Sequence, residues 1–181
     1  MAEKLKIIPL GGLNEIGKNM TVYEYGGESI VVDCGMAFPE DDMYGIDSVI
    51  PDITWLLKNR AHIRGLFITH AHEDHVGAIP HVLKQLNIPI YCTRLTAGLI
   101  KLKLEEHDLV QTTKLITVAA GESVRAGKFT GIAQKCHILR AAGHRHAPRH
   151  KISLRKSLRL QHHGYKLHLF PDITLQVIHG I

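Results

Sequence analysis

Apolar and polar positions fall into short ordered blocks over roughly the first two thirds of the chain and then lose their order. KLKIIPL and MTVYEY read as strands joined by the glycine-rich GGLNEIGKN, and a Gly26-Gly27 turn leads into SIVVDCG, a near-continuous β-branched run. Together they predict an N-terminal β-meander. PDITWLLKN predicts a short helix and GLFIT a buried strand. Ile79, Val82, Leu83 and Leu86 then repeat at i, i+3, i+4 and i+7, with Pro80 suited to a first helical turn. IPIYCT returns to strand, and Leu95, Leu99 and Leu102 mark the expected inner face of a helix running to about His107. TKLITV and GESVRAGKFT predict further short strands. Strands that pair first and then alternate with helices imply an α/β (α+β) architecture, a mixed sheet covered by helices.

The order stops near Gly131. Beyond it apolar residues keep no sustained period and polar ones form no repeated unit. Charge changes at the same place: residues 1–131 hold 13 Lys+Arg against 16 Asp+Glu, whereas residues 132–181 hold 9 against 1 and 8 of the 14 histidines. The chain therefore divides into an ordered part, 1–131, and a basic, histidine-rich tail, 132–181. The overall net charge of +5 is not a property of the ordered part, which is mildly acidic. With 181 residues and 45% apolar content, one domain with a real core is expected. No apolar run approaches the ~20 residues that cross a bilayer, and MAEKLKIIPL lacks a signal-peptide core, so a cytoplasmic protein away from membranes is expected. Cys34, Cys92 and Cys136 are odd in number and form no CxxC pair; they read as buried small hydrophobes.

The chemistry is concentrated in LFITHAHEDHVGAIPHVLKQL, where histidines and acids interrupt an otherwise apolar segment at a strand-to-helix junction. His70 and His72 alternate along extended chain and can point the same way, while Asp74 and His75 follow as the chain turns into the helix. Neutral imidazole and carboxylate are ligands that zinc favours, and a site at the end of a buried strand leaves room for water and substrate. Two ions there would act on a hydrolytic displacement, with Asp74 and His75 as candidate catalytic groups and all four residues as candidate metal ligands. Glu73 reads as a solvated carboxylate, and His62, His81 and His107 as surface or half-buried histidines.

HxHxDH after a hydrophobic strand is the signature of the metallo-β-lactamase fold. GGLNEIGKNM, VVDCGMAFPEDDMYGIDSVIPD and THAHEDHVGAIPHVLKQLNIPIYCT together resemble the N-terminus of the bacterial ribonuclease J family, in the β-CASP branch, over residues 4 to about 131. The resemblance implies the N-terminal half of an αββα sandwich and a two-zinc ribonuclease, exonucleolytic from the 5′ end and endonucleolytic, acting on RNA in processing and decay. It assigns His70 and His72 to one zinc and Asp74 and His75 to the other. Asp33 matches the family's motif aspartate, placed to accept hydrogen bonds from the ligand loop. Asn14 and Glu15 would border the site without a chemical role. RNA is the implied partner, and pairing of chains or association with other RNA-decay proteins is left open.

The family pattern is not continued after GKFT. A third histidine ligand, a bridging aspartate and a last histidine have no matching context; His137 lies near the third position with unlike neighbours, and Asp172 lacks the expected Gly-Asp-Phe. Three readings of the tail compete: a basic RNA-binding arm, a histidine-rich metal-binding segment, or out-of-frame or truncated sequence without selected function, which the abrupt loss of patterning favours. A half sandwich would expose a sheet face and bind zinc weakly. The alternatives to a ribonuclease are another metallo-β-lactamase-fold hydrolase or a non-catalytic, truncated RNA-binding fragment.

Overall fold

Gly26 and Gly27 take φ of 57° and 77°, the double left-handed conformation that closes a two-residue hairpin. The computed structural model describes residues 4–133 together with the backbone of strands at 160–162, 165–169 and 174–179. The hairpin joins β2 (Met20–Tyr25) to β3 (Glu28–Val32) with Tyr25 opposite Glu28, and β1 (Lys6–Gly11) lies antiparallel on the far side of β2. Beyond β3 the sheet turns parallel through β4 (Ile63–Phe67), β5 (Ile90–Cys92) and β6 (Leu115–Thr117), giving the order β1-β2-β3-β4-β5-β6. Parallel neighbours require crossovers. Those crossovers carry α1 (Thr54–Lys58), α2 (Glu73–Val76), α3 (Ile79–Leu83) and α4 (Arg94–Glu106).

Alternate residues of the central strands bury on opposite faces. Val22 and Val31, paired across the hairpin, join Leu66, Ile90, Leu56, Val76, Ile79, Val82, Ile100 and Leu104 in the core beneath the helices. Tyr23 and Ile30, the next pair along, join Val32, Ala126 and Phe129 in a second cluster on the other face, with Phe67 and Tyr91 packed against it. A sheet buried on both faces explains why SIVVDCG is near-continuously apolar rather than alternating.

The second cluster is reached by β7 (Ser123–Ala126) and β8 (Phe129–Ile132), a hairpin in a second sheet ordered β7-β8-β11-β10-β9. Strands β9 (Leu160–His162), β10 (Tyr165–Leu169) and β11 (Thr174–His179) complete it, with β11 parallel to β8. A Cβ on Gly131 would meet the Phe67 ring at 2.6 Å, so glycine is needed where the two sheets meet.

Three expectations change. The face expected to be bare in a half sandwich carries Ala126 and Phe129. The break near residue 131 falls inside β8, and three strands lie beyond it, where no regular element was expected. Short β-rich segments such as TLQVIH carry too few residues to establish a period by themselves. The third change concerns α4, whose extent agrees but whose inner face does not. Thr96, Ala97, Ile100 and Leu104 are buried, while Leu95, Leu99 and Leu102 are 50%, 44% and 56% exposed. The leucine spacing is helical on either side of the helix, and Thr96 and Ala97 are small enough to bring α4 close to the core. The helix expected from Ile79 is α3, which begins there and ends at Leu83 with Leu86 buried just past it, while α2 is a separate turn before it.

Candidate metal centre

The site forms where β3 and β4 end side by side. Asp33 leaves β3 with φ of 61°, a conformation that aspartate tolerates better than most residues. Its backbone N–H donates to Phe67 O at 2.9 Å, and the next residue, Cys34, donates to His75 O at 2.8 Å. The ligand loop is thus stitched to the end of β3 by main chain. The stitching demands close approach: a Cβ on Gly35 would fall onto the Asp74 carbonyl. From the other side Asn19, just before β2, donates its own N–H to Asp74 O at 3.1 Å.

Within this frame the buried Asp33 carboxylate accepts hydrogen bonds from Thr69 N and Oγ1, both at 2.9 Å, and from His75 Nδ1 at 2.8 Å. An imidazole that donates Nδ1–H to a carboxylate presents its Nε2 lone pair as an acceptor, and His75 Nε2 lies 3.3 Å from Asn19 Nδ2. Thr69 Oγ1 also lies 2.9 Å from His70 Nδ1, so Asp33 orients His70 at one remove. His70 Nε2 comes to 3.1 Å from His72 Nδ1, and His75 Nε2 to 3.2 Å from Asp74 Oδ2. Two ligand atoms on one tetrahedral zinc, each at about 2.0–2.1 Å, stand about 3.3 Å apart. Both pairs therefore have the separation of neighbouring ligands.

His70, Asp74 and His75 offer ligand atoms that all lie within 4.8 Å of one another, the only such group of three or more among the described residues. His70 and His75 are buried, Asp74 is half-buried, and His72 is exposed beside His70, outside that set of three. Burial is the largest influence on His75 and pulls its pKa down, but Asp33 and Asp74 together outweigh it and the net shift is upward. A cluster of two buried imidazoles beside two carboxylates is a donor set that suits a divalent cation.

Asn19 was not singled out in the sequence, yet its side-chain Nδ2 donates to Asp74 O at 3.0 Å and lies 3.1 Å from Asp74 Oδ2. Its distance of 55 residues from Asp74 hid it; the nearer signal was the loop it closes. Glu15 braces that loop, accepting from Gly12 N and pairing with Lys18 at 2.8 Å, and Asn14 is exposed at φ of 56°. Glu73 pairs with Lys103 of α4 at 2.7 Å, half-exposed, consistent with a solvated carboxylate. His62 is exposed, while His81 and His107 are half-buried with ring centroids 5.6 Å apart; burial, then His107 and Lys84, lowers the His81 pKa. Cys34 and Cys92 are buried free thiols. Cys136, His137 and Asp172 lie outside the described residues.

Strand-tip imidazoles and carboxylates over a helix-covered mixed sheet, facing a second sheet, define a metallo-hydrolase class of fold. The chain belongs to the metallo-beta-lactamase superfamily, whose family profile matches residues 13–166. Ribonuclease J of Synechocystis sp. (strain ATCC 27184 / PCC 6803 / Kazusa) is 52% identical over 127 residues, covering 70% of this chain and 20% of that protein. Ribonuclease J 1 of Streptococcus pyogenes serotype M3 is 54% identical over 103 residues, 57% of this chain and 18% of that protein. The chain thus spans about a fifth of the length of these relatives. In structure it is similar to a protein of unknown function from Enterococcus faecalis V583, with a TM-score of 0.54 and 17% identity over 71% of this chain and 36% of the other, a likeness of fold alone. No described helix is long and apolar enough to cross a membrane.

Proposed function

We propose that this chain carries the HxHxDH half of a two-zinc ribonuclease site that hydrolyses RNA phosphodiesters, from the 5′ end and internally, in cytoplasmic RNA processing and decay. One observation carries the reading: His70 with His72, and Asp74 with His75, converge in two pairs at the tip of β4, within a segment about half identical to ribonuclease J. His70 and His72 would hold one zinc, and Asp74 and His75 the other. Bound there, zinc supplies activation of water near neutral pH and stabilisation of charge on phosphorus oxygens.

The chain's own residues do the positioning. Asp33 fixes the tautomer of His75, Thr69 passes that constraint to His70, and Asn19 holds Asp74 against the site. Asp74, half-exposed, would also orient a water molecule. Among the described residues four ligands would be shared between two ions, fewer than a catalytic zinc usually has, so these four alone would hold zinc with modest affinity. A non-catalytic, RNA-binding fragment is the second reading, favoured by the 9 Lys+Arg against 1 Asp+Glu in residues 132–181. Shortening of a 5′-monophosphorylated RNA at stoichiometric zinc, lost in His72→Ala, supports the enzyme. RNA binding without cleavage, salt-sensitive and unchanged by His72→Ala but lost with residues 132–181, supports the fragment.

A further inference from the structure

Lys103 projects from the last turn of α4, between Ile100 and Leu104, which are buried in the core. Its Nζ lies 2.7 Å from Glu73 Oε1 and 2.8 Å from Oε2, so one ammonium straddles both carboxylate oxygens across 30 residues of sequence. Glu73 stands between His72 and Asp74 and opens α2, yet is not one of the three residues whose ligand atoms converge. Its main chain is tied too, the carbonyl accepting from Met36 N at 3.1 Å and from Gly77 N at 2.8 Å. A helix of four residues does not hold itself together in water, so α2 depends on such ties. The His72 carbonyl accepts from His75 N and Val76 N, both at 2.9 Å, so the place of His72 follows that of this turn.

We propose that Lys103 is a positioning residue for the metal centre. Gripping the Glu73 carboxylate from a helix seated in the core, it fixes the first turn of α2, and with it His72 and Asp74 on either side, and it keeps the Glu73 carboxylate out of the ligand set. This role rests on the two-zinc reading of the site. The sign of its effect separates positioning from plain electrostatics. Lys103 is a cation paired to the residue between two candidate ligands, so coulombic effects alone would make zinc bind more tightly once it is removed. Positioning requires the opposite. The two side chains are 25% and 42% exposed, and an ion pair so accessible contributes little to global stability, so the loss falls on metal binding rather than on folding.

Zinc affinity of the full 181-residue chain, measured by competition with a chelator, tests this, with urea unfolding and amide hydrogen exchange of the metal-free chain measured beside it. The double variant His70→Ala, His75→Ala identifies the zinc that belongs to the cluster. Lys103→Met should weaken that zinc about tenfold and speed exchange of the Val76 and Gly77 amides, while the urea midpoint stays near the native one. Lys103→Arg, whose guanidinium also spans both carboxylate oxygens, should restore affinity. Glu73→Gln should weaken zinc too, and adding Lys103→Met to it should change nothing further. Unchanged or tighter cluster zinc in Lys103→Met, a loss matched by a fall in the urea midpoint, or no rescue by Lys103→Arg would overturn the proposal and leave the zinc reading standing. Equal zinc in the native chain and in His70→Ala, His75→Ala would overturn both.

Discussion

The Asp33 carboxylate and His75 Nδ1 meet at 2.8 Å across 42 residues of sequence, both side chains almost fully buried. This contact ties the end of β3 to the first turn of α2 and decides which His75 nitrogen is left for a ligand. Asparagine at position 33 keeps the left-handed backbone conformation but removes the charge and the second strong acceptor. Asp33→Asn should therefore fold and bind zinc about 10- to 100-fold more weakly, read by competition with a chelator. Unchanged affinity would mean that Asp33 does not orient the ligand.

Asn19 offers a second handle on the same loop. Removing its amide deletes hydrogen bonds to the Asp74 carbonyl and carboxylate. Asn19→Ala should cost about 1–3 kcal/mol in urea unfolding and lower zinc affinity as well. The neighbouring loop residue gives the control: Asn14→Gly, exposed and already at positive φ, should leave both nearly unchanged.

Phe129 is fully buried in the cluster between the two sheets. Phe129→Ala should lower unfolding free energy by about 3–5 kcal/mol. A loss below about 1 kcal/mol would show that β7 and β8 do not seal the second face of the first sheet.

Glu28 links the sheets at their edge, accepting from Lys128 N at 2.6 Å and Arg64 Nε at 3.0 Å. The Lys128 N–H first, and Arg64 after it, hold its carboxyl pKa below the ordinary value. A depressed folded-state pKa gives stability that is present above the unfolded value, near 4.3, and is lost as pH falls through the folded one. Native protein and Glu28→Gln should thus differ at neutral pH, by no more than about 1 kcal/mol given the exposure of the pair, and converge in acid. Thermal unfolding from pH 2 to 7 reads this; a gap that widens toward acid would contradict it.

Local patterns revealed most of the first sheet and its helices, because β2, β3 and β5 abut glycine or proline and, with β4, are buried strongly enough for their apolar runs to stand out. The candidate metal cluster stood out for a different reason: His70, His72, Asp74 and His75 sit within six residues at a strand-to-helix junction, so spacing brings them near one another, with His72 outside the set of three whose ligand atoms converge. Asp33 was found through its motif. Asn19 was not, since its role depends on a tertiary contact with the Asp74 backbone. The packing face of α4 was misread because leucine carries more apolar weight than threonine and alanine, whereas close helix-to-core packing selects the smaller residues. Strands β9–β11 were missed because their order resides in pairing with one another and with β8.

The central claim is that these imidazoles and carboxylates hold divalent metal, and zinc content per chain after exhaustive dialysis tests it most directly. Elemental analysis of the native chain beside the double variant His70→Ala, His75→Ala separates this site from the histidines beyond residue 131. The predicted result is at least one equivalent of zinc that the native protein retains and the folded variant lacks. Equal zinc in both, or none in either, would contradict it.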